Sequence, residues 1–371
     1  MEEFASYFRQ VKGIRDAMGD ESLNPVTVAL IDDGADITHP ELKGNKFPGK
    51  SFDFYREGWR VSPFWSSASG HGTLMTRLIH RICPSAMIYI IKLRTVKTAK
   101  SAKLQIDTRS AIEASVPGFV YPIPIGGSNL KARDLTCSPT QAIEYAIENG
   151  AQIISMSWAT KRPDNEADKD AFDKAIRKAH SKNILMFCSA IDQGKFKDPT
   201  YPHASNPNYT FKVGAAKATG VTPGYVNDRD LNFIFPGHEV VLSSTYEDVT
   251  DKLLENFTAH KGSSVATALA SGLAALVLEC VRLSHISTLK DPKQRGRGAI
   301  QRADMDRIRK REALESAFSY ISGGLQVDSK YIEVWKTFTE FGEDLKRNEG
   351  ASEAQLDVIT GFARLFLRKT D

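Results

Sequence analysis

Four short apolar runs, each stopped by turn residues, most constrain the fold of this chain. They lie at residues 26–34, 86–93, 151–158 and 183–190, as in "VTVALIDDG". Helical patterns such as "SGHGTLMTRLIHRIC", "SPTQAIEYAIENG" and "NEADKDAFDKAIRKAHSK" alternate with them. Continuous apolar strands are typical of a parallel sheet covered on both faces. The alternation therefore predicts a doubly wound, mostly parallel α/β fold, with sites at the carboxyl ends of the strands.

The charge balance and the cysteines exclude several functional classes. A net charge of +4, from 49 basic and 45 acidic residues among 371, does not favour a nucleic-acid partner. The four cysteines are widely spaced, contain no CxxC pair and have apolar neighbours. This pattern favours buried reduced thiols over a disulfide framework or a zinc site. The cysteines are Cys83, Cys137, Cys188 and Cys280.

The ends of the chain indicate its compartment. The first residues open acidic and alternate charged with apolar side chains, which is not the pattern of a signal peptide. The longest apolar run, 265–278, is too short to span a membrane and ends at Glu279. We therefore expect a soluble cytoplasmic protein with no membrane partner.

Composition divides the chain into three expected parts. Residues 1–24 form a helical lead-in, 25–283 the α/β domain, and 284–371 a basic linker with a helical C-terminal extension. Within the α/β domain, residues 95–136 are rich in Pro and Gly and predict a long surface excursion. The helical stretches of the extension, near 304–321, 331–347 and 352–367, offer a surface for a protein partner.

Three stretches carry the residue types of a nucleophilic site. Asp32 ends the first strand in "LIDDGADITHPEL", His71 stands between two glycines in "SGHGTLMT", and two serines open "GSSVATALASG". Each has an ordinary interpretation: Asp-Asp-Gly is a turn, His71 is a polar residue at a helix start, and serine is a good N-cap. A reactive serine instead requires a base, an orienting carboxylate and an oxyanion donor.

Taken together and in this order, the three stretches resemble the active-site signatures of the subtilase family. The first resembles D-[ST]-G-x-x-x-x-H-P-x-L, with Asp33 where Ser or Thr is usual. The second matches H-G-T, and the third resembles G-T-S-x-A-x-P, with Ser263 for Thr and Ala268 for Pro. The resemblance covers about residues 25–280 and is strongest to intracellular subtilase modules of filamentous fungi. It implies Ser264 as nucleophile, His71 as base and Asp32 as the orienting carboxylate.

Further landmarks of the resemblance imply a substrate cleft. "IISMSW" resembles the strand that pairs with extended substrate, and "FCSAIDQG" resembles the oxyanion segment A-A-G-N-x-G. Asp192 then occupies the oxyanion position, where most members have an Asn that donates to the developing oxyanion, whereas a carboxylate repels it. The implied substrate-binding residues are Ser155, Met156, Ser157, Trp158, Ala159, Ser189, Ala190 and Gly194.

The resemblance implies a serine endopeptidase that hydrolyses peptide or protein substrates through an acyl-enzyme. The mechanism requires no cofactor, and no loop has a ligand spacing that predicts a metal site. Because only about two dozen residues precede the first strand, we expect no folding prodomain. The alternative is a pseudo-protease that binds peptides or partners, in which the altered oxyanion position marks lost catalysis.

Overall fold

The computed structural model describes residues 24–53, 61–98, 101–106, 139–194, 198–242, 259–290, 299–322 and 330–367. Residues 1–23 of the expected lead-in, most of the excursion predicted after residue 95, and Cys137 lie outside these ranges. At the start of that excursion, β4 (Thr95–Thr98) and β5 (Ser101–Ile106) pair as an antiparallel hairpin. Cys83, Cys188 and Cys280 are buried free thiols, as the sequence predicts.

The predicted parallel sheet is confirmed and, within the described ranges, has seven strands in the order β2-β3-β1-β6-β7-β8-β9. Every pair of neighbours in it is parallel. The four apolar runs form four adjacent strands of this sheet, at its centre, where both faces are covered. The strands are β1 (Thr27–Asp32), β2 (Gly49–Ser51), β3 (Met87–Lys92), β6 (Ile153–Met156), β7 (Leu185–Ser189), β8 (Phe211–Ala216) and β9 (Phe233–Pro236). A short antiparallel pair, β10 (Val240–Val241) and β11 (Ala259–His260), follows.

Helices cover both faces of the sheet, which produces two hydrophobic clusters. α1 (His71–Ile82) and α4 (Ser263–Lys290) pack on one face, and α2 (Pro139–Glu148) and α3 (Glu166–Ser181) on the other. Three of these helices correspond to the three helical patterns read from the sequence. The arrangement is the doubly wound architecture that the alternation predicts.

The helix α4 crosses the molecule against the direction of the strands. At its start, Ser263 Oγ accepts a hydrogen bond from the N–H of Ala215 near the end of β8, 3.1 Å away. Near its end, Glu279 accepts one from the N–H of Val26, just before β1, at 3.4 Å. α4 is long and apolar enough to cross a membrane, but 89% of its most apolar window is buried inside the protein.

The helix α1 runs beside α4 and in the same direction. It begins where β1 ends, because His71 contacts Asp32, and it leads back to β3. Gly272 of α4 faces α1 closely: a Cβ there would lie 2.9 Å from Cβ of Ile82. The small residues of α4 thus allow the two helices to pack tightly, and both helices start at the carboxyl edge of the sheet.

The C-terminal helices share the core of the sheet. They are α5 (Arg302–Ile308), α6 (Arg311–Ile321), α7 (Trp335–Arg347) and α8 (Ser352–Phe366), so the helical stretch predicted near 304–321 contains two helices. Phe318 of α6 is fully buried, with its ring 4.9 Å from that of Phe233 in β9. Residues 330–332 hydrogen-bond to Ile234 along the edge of the sheet. The helix α4 also continues unbroken past residue 283, where the sequence places a domain boundary. The division at 283/284 stays a prediction.

Candidate active site

The last residue of β1 and the first residue of α1 form the centre of the site. Oδ1 of Asp32 lies 2.8 Å from Nδ1 of His71 and also accepts the N–H of Asp33 at 2.8 Å. Asp32 is buried, and its Oδ2 has no hydrogen-bond partner among the described residues. Burial raises the pKa of Asp32, and the His71 ring opposes that rise. A carboxylate in such surroundings gains most when its neighbour becomes cationic.

Glycines bring the start of α1 against the turn after β1. Gly72 packs so closely on this turn that a Cβ there would lie 1.9 Å from the carbonyl oxygen of Gly34. Gly34 has a φ of +91°, and Gly70, just before His71, has a φ of +80°, conformations that favour glycine. The H-G-T stretch and the Asp-Asp-Gly turn therefore fit together as backbone against backbone. The His71 side chain remains 36% exposed at the mouth of this contact.

Asp33 binds the same region through its side chain. Its carboxylate accepts hydrogen bonds from Ser67, Ser69 and the N–H of Gly72. Although burial by itself raises the pKa of Asp33, the hydrogen bonds from Ser69 and Ser67 hold the net pKa below its usual value. The charged side chain is therefore stable in its buried position. The sequence marked Asp33 only as a departure from the family motif.

The two adjacent serines have different surroundings. Ser263 is fully buried and hydrogen-bonded to Asp192 and to the N–H of Ala215, whereas Ser264 is half-buried. Gly262 before them has a φ of +131°, and a Cβ there would lie 3.4 Å from Oγ of Ser264. Ser263 is thus engaged in the core, and Ser264 is the more exposed of the two serines. The N–H groups at this helix start lack partners within the helix, which suits an anion.

The structure brings Asp192 to the start of α4. Its carboxylate accepts the N–H of Ser263 at 2.9 Å and the Oγ of Ser263 at 2.6 Å. The segment that carries Asp192 is held at both ends, by hydrogen bonds from Ala190 N–H to Val213 and from Gly194 N–H to Tyr225. The negative charge therefore lies at the positive end of the helix, where it is stabilising.

A buried ion pair that was not predicted from the sequence supports this segment. Asp198 Oδ2 accepts the N–H of Ile191 at 3.0 Å and lies 3.2 Å from Nζ of Lys212. Although burial raises the pKa of Asp198, hydrogen bonds from Thr200 and Ile191 and the charge of Lys212 lower it below the usual value. No sequence signal connects these residues, because the pairing of Asp198 with Lys212 depends on the loop before β8.

The predicted substrate-binding residues divide into a larger group with buried side chains and a smaller group that is partly exposed. The side chains of Ser155 and Met156 are fully buried, and Ser155 Oγ accepts a hydrogen bond from Ser271 of α4 at 2.9 Å. Trp158 is also buried, and its Nε1 donates to the carbonyl of Ile31 at 2.7 Å, next to Asp32. These three side chains are therefore part of the core. Ser157, Ser189 and Ala190 are buried as well, whereas Ala159 and Gly194 are partly exposed.

Comparisons with known proteins bear on the family of this chain. A family model described as the subtilase family matches residues 24–293. The chain is 25% identical to the "Intracellular serine protease" of Paenibacillus polymyxa, over 72% of this chain and 71% of that protein. It is also 25% identical to "Endoprotease aex-5" of Caenorhabditis elegans, over 72% of this chain but 45% of that longer protein.

The fold is similar to that of a solved lanthipeptide protease. The TM-score is 0.52 at 19% sequence identity, and the likeness covers 91% of this chain and 94% of the other. At that identity the likeness concerns the fold alone. Because it extends over nearly the whole chain, it includes described helices beyond residue 293, where the family model ends.

Proposed function

This chain belongs to the subtilase family of serine proteases, and on that premise we propose that it is an endopeptidase with an Asp32–His71–Ser264 triad. Peptide or protein chains are its substrates. The resemblance to fungal modules stays a prediction. The observation that carries the proposal is the 2.8 Å contact between His71 Nδ1 and buried Asp32. A buried carboxylate on one ring nitrogen fixes the proton there, so that the other nitrogen can act as the base.

In the proposed mechanism, His71 takes the proton from Ser264 Oγ as that oxygen attacks the scissile carbonyl. Asp32 holds the ring in one tautomer and stabilises the imidazolium that forms. His71 then gives the proton to the leaving amine, which leaves an acyl-enzyme on Ser264. A water molecule, activated by His71 in the same way, hydrolyses the acyl-enzyme. The chemistry needs no cofactor.

The parallel packing of α1 and α4 supports this assignment. Both helices start at the carboxyl edge of the sheet, so His71 and Ser264 lie at the same edge and on the same face. Sites in open α/β folds lie at this edge. The tight contact at Gly272 keeps the helices close along their length.

The oxyanion position is the unusual part of the proposed site. Asp192 occupies it, and its carboxylate is directed to Ser263, so it accepts hydrogen bonds rather than donating one. We assign the backbone N–H of Ser264, at the start of α4, as the main donor to the oxyanion. Asp192 can add a second donor only in its neutral, protonated form.

Substrate in our proposal lies extended beside residues 155–159, with the P1 side chain between that segment and residues 189–194. Because the side chains of Ser155, Met156 and Trp158 are buried, this pairing uses backbone groups. An intracellular location agrees with the name of the Paenibacillus relative. The C-terminal helices remain a candidate surface for a protein partner.

A diverse peptide pool tests the proposed activity. The wild-type protein should cut peptides internally, as read by mass spectrometry, and Ser264→Ala should cut none. Cleavage confined to terminal residues would contradict the endopeptidase assignment. Complete absence of cleavage by folded wild type would instead favour the pseudo-protease, the alternative that the Asp at the oxyanion position raises.

A further inference from the structure

We propose that Asp33 and Lys92 are positioning residues for His71, which hold the loop at residues 63–70 between a buried anion and a buried cation. This loop leads directly into α1, whose first residue is His71. The inference rests on the proposed function, because His71 acts there as the base. Neither residue reaches the reacting atoms in this arrangement; both act on the backbone that carries the ring.

The anion binds the end of the loop and the first turn of the helix. Oδ1 of Asp33 accepts Ser67 Oγ at 2.7 Å and the N–H of Gly72 at 2.9 Å. Oδ2 accepts the Oγ of Ser69 at 2.7 Å and its N–H at 2.8 Å. All four donors belong to residues 67–72, which flank His71 on both sides. Such a network needs a group that only accepts, and an ionised carboxylate is that group.

The cation binds the beginning of the same loop. Lys92, the last residue of β3, is 2% exposed, and its Nζ donates to the carbonyls of Ser66 at 2.7 Å and Pro63 at 3.3 Å. Burial lowers the pKa of Lys92, and the nearby carboxylates of Asp53 and Asp33 oppose that effect. The loop thus presents carbonyl oxygens to the cation and N–H and O–H groups to the anion.

The two neighbouring aspartates therefore divide the work. Asp32 contacts the imidazole ring itself, and Asp33 contacts the backbone on either side of the residue that bears it. Small displacements of a base cost rate steeply, since proton transfer needs hydrogen-bond geometry. Asp33 and Lys92 together form a clamp on the loop at residues 63–70. Loss of either side chain should loosen residues 66–72 and so move His71 relative to Ser264.

The variants Asp33→Asn, Lys92→Met and the double variant Ser67→Ala/Ser69→Ala test the clamp. In Asp33→Asn, the side-chain NH₂ replaces the oxygen that accepts the hydrogen bonds from Ser69. In Lys92→Met, a side chain of similar length lacks the positive charge. The two serines are at least partly exposed, so their double variant should fold and keeps the Asp33 charge. Matched controls are Ser66→Ala, whose hydroxyl makes none of the Asp33 bonds, and Asp36→Asn, an exposed carboxylate that accepts hydrogen bonds from Thr38.

Two readouts decide the outcome. Fluorophosphonate labelling of Ser264 should slow about tenfold in each test variant and stay within about twofold of wild type in the controls. Amide hydrogen exchange at Ser69 and Gly72 should become faster in the Asp33 variant, because those N–H groups lose their acceptor. For a pure positioning effect, kcat on a cleaved peptide falls while KM stays the same.

Unchanged amide hydrogen exchange at Ser69 and Gly72 in folded Asp33→Asn would overturn the proposal. Faster exchange together with a wild-type rate of Ser264 labelling would overturn it as well. Equal slowing in the controls would also overturn it. A wild-type protein that takes no label would refute the proposed function alone, because hydrogen exchange still measures whether Asp33 and Lys92 hold the loop.

Discussion

The helices that carry His71 and Ser264 both begin at a carboxylate, but the two beginnings are built differently. At α1, Asp33 binds the first turn and Asp32 next to it contacts the reactive ring. At α4, Asp192 binds the first turn, through Ser263, and the same residue also occupies the proposed oxyanion position. The start of α1 thus uses one carboxylate for structure and another for chemistry, whereas at the start of α4 a single side chain has both roles.

This difference predicts how the same substitution acts at the two helix starts. An Asp→Asn change removes a charge and turns one acceptor into a donor. At α1 the change at Asp32 should disturb the imidazole ring of His71, and the change at Asp33 should loosen the loop before it. At α4 it should harm the helix start but help the chemistry, because the oxyanion needs a donor.

Asp32→Asn should have the largest effect. The amide offers a donor to His71 Nδ1, which favours the wrong tautomer, so kcat should fall about 10⁴-fold with little change in KM. Steady-state kinetics on a peptide from the pool measures this fall. Asp36→Asn is the control for loss of a nearby charge, and an equal loss there would show that the fall reflects charge in general.

Asp192→Asn should change kcat in the opposite direction. A permanent donor at the oxyanion position should raise kcat by up to about a hundredfold. Loss of the charge at the start of α4 should lower the free energy of unfolding by about 1 kcal/mol. A pH–rate profile and a denaturant titration measure the two effects.

Two results at residue 192 would contradict this interpretation. A slower enzyme at every pH would mean that the carboxylate serves catalysis in its present form. A faster enzyme with no loss of stability would mean that the bonds to Ser263 do not hold the helix. Asp192→Ala is the control, since it loses the cap and gains no donor.

Phe362→Ala tests whether the body of α4 also depends on the C-terminal helices. Phe362 is fully buried in α8, which packs along α4, and its removal should lower the free energy of unfolding by about 3–5 kcal/mol. Phe341→Ala, at a partly buried neighbour 4.2 Å from the Phe362 ring, should cost less. Labelling of Ser264 per folded molecule should stay unchanged. A loss of labelling in folded protein would mean that α8 shapes the site itself.

Glu41→Gln should have the smallest effect, and a pH-dependent one. Glu41 binds Arg77 and Arg81 on the flank of α1. Although burial raises its pKa, hydrogen bonds from Arg81 and Arg77 lower it from 4.5 to about 2. Because the folded-state pKa is lowered, the stabilisation is present above pH 4.5 and is lost as the pH falls towards 2.

Unfolding titrations at several pH values measure this effect. The variant should be less stable than wild type by about 1 kcal/mol at pH 7, and the gap should close in acid. A gap that is constant from pH 7 to pH 2 would indicate lost packing rather than lost charge.

The sequence predicted the sheet and the residues at its carboxyl edge. The strands could be predicted because central parallel strands are apolar on both faces. Asp32, His71 and Ser264 could be proposed as site residues because the family motifs are local. The partners of Asp33 and Asp192 were not readable. Asp33 binds serines in a loop that is distant in sequence, and Asp192 binds a serine on another helix. Such contacts depend on side-chain direction and on how loops meet after folding.

The packing of the C-terminal helices was also beyond the sequence. Their amphipathic patterns predicted helices, but a pattern of this kind does not say which surface the apolar face will cover. The break between α5 and α6 at Arg309 and Lys310 carried no glycine or proline to mark it. The pairing of residues 330–332 with β9 could not be predicted either, because that short segment has no strand-like alternation.

Fluorophosphonate labelling mapped to a residue by mass spectrometry tests the central claim most directly. The claim is that Asp32 and His71 activate a serine at the start of the neighbouring helix. The predicted result is a single adduct on Ser264 in wild type, retained in Ser263→Thr and absent in both Ser264→Ala and His71→Ala. An adduct on Ser263, equal labelling without His71, or no adduct on folded wild-type protein would contradict it.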